Sequence, residues 1–373
     1  MFIITAKNGL ARRGQLTTAY GVIQTPFFMP IATKGAVKTL SNDDLRQLGA
    51  EIILSNTYHL LLRPGLEALK KLGGFHQLSG WDRTLLTDSG GYQVFSLPNK
   101  TTEDGVEFKS VINGDKHFLT PELSMRMQAA IGSDIAMQFD DVAAGDSSRE
   151  RYEEAMERSL RWAKRSKDEF GRLKSSGSSK LFAIIQGGTH EDLRQRSVEE
   201  LVKIGFDGYA IGGLSVGESR EDAYRVAKYT ASLLPKDKPR YFMGGGFPEE
   251  IVYYVSIGVD MFDCVLPTRN ARHGTIFVWK DDPSICVPKA LKAAQSGATD
   301  VEVAEMLYDQ IHISNEKYAF DMSPLDPFSR PPGTAKAYLR HLFLIEEPLA
   351  QRLATLQNIG FYLRLMFELR RTI

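Results

Sequence analysis

"GVDMFDCVLPTRNARHG", Gly258 to Gly274, begins as a buried strand would and then sets Asp263 and Cys264 inside the apolar run, with Arg269, Arg272 and His273 close behind. An unpaired buried carboxylate costs several kcal/mol, so the ordinary explanations are an ion pair with one of those arginines or a helix cap. A lone cysteine in such a run reads as a small hydrophobe before it reads as a nucleophile. One segment does not decide between structure and chemistry, but a repeat of the pattern does.

Seven other stretches have the same form: TPFFMPIAT from Thr25, EIILSNT from Glu51, TLLTDSGG from Thr84, DIAMQFDD from Asp134, LFAIIQGG from Leu181, GYAIGGL from Gly208 and RYFMGGG from Arg240. Short apolar runs bounded by turn residues are what strands buried on both faces look like. Helical spacing separates most of them, as in Ser148 to Phe170, HEDLRQRSVEELVKIG from His190 and REDAYRVAKYTASLL from Arg220. Eight alternations predict an α/β fold, a (β/α)8 TIM barrel, with a doubly wound open sheet as the alternative.

The carboxyl ends of barrel strands carry the chemistry. Here they hold Ser55-Asn56-Thr57, Asp88-Ser89-Gly90-Gly91, Asp140-Asp141, Gln186-Gly187-Gly188, Gly212-Gly213, Gly244-Gly245-Gly246 and Asp263. Single glycine pairs mark tight turns as readily as sites, whereas their concentration at successive exits suits a flat ligand approached by backbone. No phosphate-binding GxxxxGK[ST] loop or dinucleotide fingerprint occurs. Asp88, Asp140 and Asp263 are suited to acid, base or nucleophile work, or to holding magnesium, and the pattern alone leaves these open.

Composition narrows the rest. The 373 residues contain 46 Lys and Arg against 46 Asp and Glu, so a nucleic-acid partner would need a local patch rather than a global charge. No run approaches a membrane span, and the opening MFIITAKNGLARRGQ lacks an apolar core behind a basic lead, so the expectation is a cytoplasmic protein with no membrane partner. Two cysteines, Cys264 and Cys286, form no disulfide framework and no four-cysteine zinc site. The scattered histidines form no HExxH pair.

LSNTYHLLLRPG, LLTDSGGYQVFSL, MQFDDV, IIQGG, GYAIGGLSVGE, RYFMGGG and DMFDCVLPTRNARHG, in this order, resemble the signature blocks of the tRNA-guanine transglycosylases (queuine and archaeosine tRNA-ribosyltransferases), over residues 25 to about 280. The resemblance implies exchange of guanine for a 7-deazaguanine base at the wobble position of tRNAs with a U-G-U anticodon sequence (Asp, Asn, His and Tyr), in queuosine modification. It also implies a tRNA anticodon loop as partner and a homodimer. Asp263 matches the nucleophile, which would capture an oxocarbenium-like centre as in retaining glycosidases. Asp88, with Ser89, matches the acid/base group. Asp140 matches the residue holding the N1/N2 edge of the base, with Gln186, Gly213 and Leu214 around its O6 side. Tyr92 and Met243 match the ring sandwich, and Thr268, Arg269 and Arg272 the segment gripping neighbouring uridines.

The chain departs from the family pattern after PLDP, residues 324 to 327. FSRPPGTAK follows in place of a CxCxxC zinc segment, and Gln357 stands where the fourth ligand, a histidine, is expected. The expectation is therefore no cofactor and no metal. It includes a barrel over 1–281, an insertion and degenerate zinc region over 282–335, and C-terminal helices over 336–373. Pro331-Pro332-Gly333 and the extra stretch from about Asp282 to Asn315, which contains a helix-like piece, DVEVAEMLYDQI, are candidates to replace the metal.

Val216 resembles the bacterial pattern, in which bulk excludes queuine, and Glu218 the residue sensing an aminomethyl group. Val142 reads more like the eukaryotic form. A steric gate needs one blocking residue, which favours 7-aminomethyl-7-deazaguanine over queuine. The competing classes are a non-catalytic tRNA-binding subunit, disfavoured by retention of Asp88, Asp140, Gln186 and Asp263 together, and a metal-dependent barrel hydrolase, disfavoured by the lack of ligands at the strand ends.

Overall fold

The computed structural model describes residues 1–173, 179–328 and 333–373. Eight strands form one parallel ring: β1 (Phe27–Met29), β2 (Ile52–Ser55), β3 (Thr84–Thr87), β4 (Ile135–Met137), β5 (Lys180–Ile185), β6 (Gly208–Ile211), β7 (Arg240–Phe242) and β8 (Met261–Asp263). Each of β2 to β8 is hydrogen-bonded to the next, and β8 returns to β1. Between β1 and β2 the ring closes just past β1: Leu54 N–H donates to the Pro30 carbonyl at 3.0 Å, and Ala32 N–H to the Leu54 carbonyl at 2.6 Å. The expected TIM barrel is present.

The near-continuous apolar runs follow from the two faces of each strand. Phe27, Met29, Ile52, Leu54, Met137, Phe182, Ile184 and Tyr241 pack together inside the barrel. Their alternating neighbours Phe28, Ile53, Ala136, Ala183, Ile185 and Phe242 face the helices. With both faces dry, period-2 alternation of polarity disappears from the sequence.

Two additions went unread in the sequence. An antiparallel sheet of Phe2–Asn8, Ala11–Thr18 and Gly21–Thr25 caps the amino ends of the barrel strands. It is fastened by a buried ion pair, Arg12 to Asp260 at 2.5 Å, and Arg12 also donates to the carbonyls of Lys236 and Lys238. At the other end, after β3, a small sheet is formed by Asn99–Thr101, Val106–Lys109 and Lys116–Leu119.

Beyond the barrel, DVEVAEMLYDQI is not one helix. The helix Asp300–Leu307 stops at Tyr308, whose backbone is extended, and Tyr308–His312 pairs antiparallel with Thr275–Trp279. Cross-strand pairing overrides a local helical pattern here. Of the candidate loop stiffeners, Pro331 and Pro332 lie outside the described residues. The long helix Pro348–Thr372 packs on the helix Leu266–Arg272, and its Asn358 ties three backbone groups together. Asn358 Oδ1 accepts from Phe277 N–H at 3.0 Å, while Nδ2 donates to the carbonyls of Pro267 and Thr275 at 3.0 Å each.

Asn358 is fully buried, so truncation leaves those groups without water or partner. Asn358→Ala is expected to lower unfolding free energy by about 2–4 kcal/mol in urea titrations; a loss within about 0.5 kcal/mol, as for an ordinary surface change, would show that the junction is not a strut.

Candidate active site

The barrel brings the three acids to one rim. Asp88 follows β3 directly, Asp140 lies three residues past β4, and Asp263 ends β8; all are buried. None pairs with a lysine or arginine among the described residues, so the ion pair with Arg269 or Arg272 considered for Asp263 is not made. Neutral donors hold them instead.

Asp88 accepts from the Asn56 side-chain amide, from Thr57 N–H at 2.9 Å and from Gln93 Nε2 at 2.9 Å. Burial pushes its pKa up to about 6 against those donors, and the charge of Asp263 adds to the rise. Asp140 accepts from Ser89 Oγ at 3.2 Å and from Gln186 Nε2 at 2.8 Å. It too is raised to about 6, chiefly by burial, with those hydrogen bonds opposing and the charge of Asp141 contributing. Asp141 is handled differently: Arg151 and Arg158 clamp it at 2.6 and 2.5 Å. Of two adjacent aspartates, one is ion-paired and the other is held by uncharged donors alone.

Asp263 is held by Tyr241, whose hydroxyl donates to Oδ1 at 2.5 Å, and by Gly244 N–H, which donates to the same oxygen at 3.1 Å. Burial still raises its pKa above the usual carboxylate range. Both donors fall on Oδ1, and Oδ2 accepts no hydrogen bond among the described residues. Burial pushes the Cys264 thiol up to about 12, which disfavours it as a nucleophile.

Other expected site residues sit around these acids. Gly91 packs so closely that a Cβ there would lie 2.7 Å from Asp140 Oδ1, which accounts for glycine at that position. Gly213 adopts φ +62° beside the Gln186 amide, and Leu214 is buried behind it. Glu218 accepts from the N–H groups of Ser215 at 2.5 Å and Val216 at 3.0 Å, fixing the loop after β6. Met243 is half-buried against the barrel interior, and Tyr92 is 53% exposed, its ring open to a partner. Arg269 is exposed, and Arg272 donates to the Thr268 carbonyl at 3.0 Å. Thr268 is buried with its hydroxyl on the Val265 carbonyl at 3.2 Å, so no free hydroxyl is presented there.

A family model described as queuine tRNA-ribosyltransferase matches residues 7–373. The chain belongs to the queuine tRNA-ribosyltransferase family. Proteins of that name from Francisella tularensis subsp. novicida (strain U112) and subsp. tularensis (strain SCHU S4 / Schu 4) are each 48% identical to it over 377 residues, covering 100% of this chain and 94% of theirs. Another, from subsp. mediasiatica (strain FSC147), is equally similar. The fold is therefore that of a pentosyltransferase family that acts on tRNA.

Tyr241, Asn56 and Gln93 are the site residues that sequence reasoning did not assign a role. Tyr241 carried a readable signal: it is the inward residue of β7, and a phenol in a dry barrel needs a partner for its hydroxyl. A hydrogen bond to a charged group stabilises that charge, so this one favours the anion. Tyr241→Phe therefore raises the Asp263 pKa and shifts the acid limb of the kcat/KM profile to higher pH. An unmoved limb with a merely lowered plateau would assign that limb to another group.

Proposed function

We propose that the protein exchanges guanine for 7-aminomethyl-7-deazaguanine at the wobble position of tRNAs carrying a U-G-U anticodon sequence, through a covalent aspartyl-ribosyl intermediate and as a homodimer. The observation that carries this reading is Asp263, buried at the end of β8 with one oxygen held and the other free, across the rim from the Asp140–Gln186 pair.

Asp263 Oδ2 attacks the anomeric carbon, the bond from that carbon to the guanine N9 breaks, and the electron pair leaves with the base. A carboxyl whose pKa is about 6 is partly protonated near neutrality, so Asp88 supplies a proton to the departing base and takes one from the incoming base. The new base N9 then attacks the same carbon and the ester bond to Asp263 breaks. Two inversions retain the ribose configuration. Asp140 is an acceptor for the N–H donors of the base edge, and Tyr92 offers an exposed ring on which to stack. An anticodon base is reached by splaying it from its loop, and Arg269, exposed on the helix Leu266–Arg272 that follows β8, is placed to meet phosphate or neighbouring bases. Phe320 and Met322, 95% and 75% exposed, supply apolar surface of the kind a second copy would cover.

The reading includes chemistry without resident zinc. The donors near PLDP do not suit that ion: Gln357 Nε2 donates to Asp326 Oδ2 at 3.1 Å and to the Phe277 carbonyl at 3.1 Å, and an amide N–H is not a ligand. Cys264 and Cys286 are buried, in the loop after β8 and in the helix Pro283–Gln295. We assign to the Gln357 bonds the fastening that a metal would otherwise supply.

Labelled guanine should enter a tRNA-Tyr anticodon stem-loop with wild type in chelator-treated buffer and not with Asp263→Asn, and only wild type should give an RNA adduct on a denaturing gel. Exchange by Asp263→Asn would remove the nucleophile assignment, and loss of wild-type activity on chelation would restore a metal.

Val216 lines the loop that Glu218 fixes, and its bulk is the expected gate. Val216→Gly should raise incorporation of queuine relative to 7-aminomethyl-7-deazaguanine by about tenfold in direct competition, the worth of a few methyl-sized contacts; an unchanged ratio would place the gate elsewhere.

A further inference from the structure

At the end of the barrel away from the three acids, three arginines come together, none of them in a close ion pair among the described residues. Arg13 from the capping sheet, Arg83 just before β3 and Arg370 from the long C-terminal helix line a cavity of about 560 Å³, with Glu51, Tyr20 and Phe367. Arg12, Arg158 and Arg165 are matched to acids, Asp260, Asp141 and Glu122. Arg194 and Arg240 have no acid in ion-pair contact among the described residues, but each spends several donors on backbone carbonyls. The three cavity arginines have neither arrangement. Among the described residues Arg13 makes no side-chain hydrogen bond, although its Nε is sealed from water. Arg83 donates to the Ala50 carbonyl at 2.7 Å and Arg370 to the Pro26 carbonyl at 2.7 Å, leaving most of the five donors on each guanidinium unused.

These charges sense one another. Burial holds Arg370 below the usual arginine range, Glu51 pulls it back, and Arg13 pushes it further down. Arg371 also lines the cavity, but it is matched to Glu368 at 3.2 Å. Three guanidinium groups facing the single carboxylate of Glu51 leave a formal excess of two positive charges in a recess. Such an arrangement is costly unless an anion enters it.

We propose that this cavity binds a phosphate dianion, either free or as the terminal group of a small phosphomonoester. The charge excess equals that of a dianion, and guanidinium forks match phosphate oxygens in pairs. The recess lies at the amino ends of the strands, opposite the rim that receives the tRNA anticodon, so the ligand is separate from the exchanged base. Its volume suits a small molecule rather than a folded RNA.

Titration of inorganic phosphate into the full-length protein, with chloride replacing it at constant ionic strength, should give saturable one-site binding by calorimetry. Arg13→Gln and Arg83→Gln should each weaken it at least tenfold while leaving guanine exchange unchanged. Glycerol phosphate in a parallel arm separates the two sources: equal or tighter binding points to a phosphomonoester, and binding of inorganic phosphate alone to the free ion. Should either variant misfold by circular dichroism, phosphate protection of Arg13 and Arg83 in the wild type from phenylglyoxal, read by mass spectrometry, serves in its place. Non-saturable heats that follow ionic strength, affinity unchanged in both variants, or equal labelling with and without phosphate would overturn the proposal.

Discussion

Burial of Asp88, Asp140 and Asp263 on one rim, each held by uncharged donors, is the constraint on which the remaining structure depends. An arginine at any of them would fix the carboxylate as an anion far below neutral pH, whereas amides, hydroxyls and backbone N–H groups stabilise the anion only in part. Burial then outweighs the donors, and Asp88 and Asp140 titrate at about 6. The donors come from several exits: Asn56 and Thr57 follow β2, Gln93 follows β3, Gln186 follows β5, and Tyr241 and Gly244 belong to β7 and its loop. Holding them in register requires the ring to be complete, which is why closure between Pro30 and Leu54 matters to chemistry on the far side of the barrel.

The contrast between Asp260 and Asp263 makes the same point within one short segment. Asp260, just before β8, has a bidentate arginine in Arg12 and a backbone donor in Arg240. Asp263, at the other end of the strand, has neither arginine nor lysine. The first fastens the capping sheet to the bottom of the barrel, where a satisfied ion pair suits a structural role. The second is exposed to whatever enters the rim, and its partners leave one oxygen unclaimed.

Much of this was legible in the sequence, for identifiable reasons. Strands dry on both faces announce themselves as continuous apolar runs, and their polar exits mark Asp88, Asp140, Gln186 and Asp263 in the sequence. The capping sheet was invisible because ITAKNGLARRGQLTTAYGVIQ is half-exposed, with no apolar run to find. Tyr308–His312 was hidden because its partner strand, Thr275–Trp279, lies far earlier in the chain, at a distance where local spacing is silent. Which oxygen of Asp263 is occupied, and that Thr268 spends its hydroxyl on its own helix, are matters of orientation that residue identity does not carry.

The C-terminal helix reaches the rim by a short mechanical route. Tyr362 Oη donates to the Gly246 carbonyl at 2.6 Å, Glu250 accepts from Gly246 N–H at 3.1 Å, and a Cβ on Gly246 would fall 1.9 Å from Cys264 Sγ. The loop after β7 is thus pinned on three sides, and it supplies the Gly244 N–H that holds Asp263. The same helix bears Gln357, whose side chain ties it to Phe277 and Asp326. Hydrogen bonds along a single helix therefore connect the PLDP region to the acid at the centre of the proposed chemistry. A loosened PLDP region would be felt at Asp263 through the position of Gly244, because packed backbone at Gly246 has no room to absorb a shift.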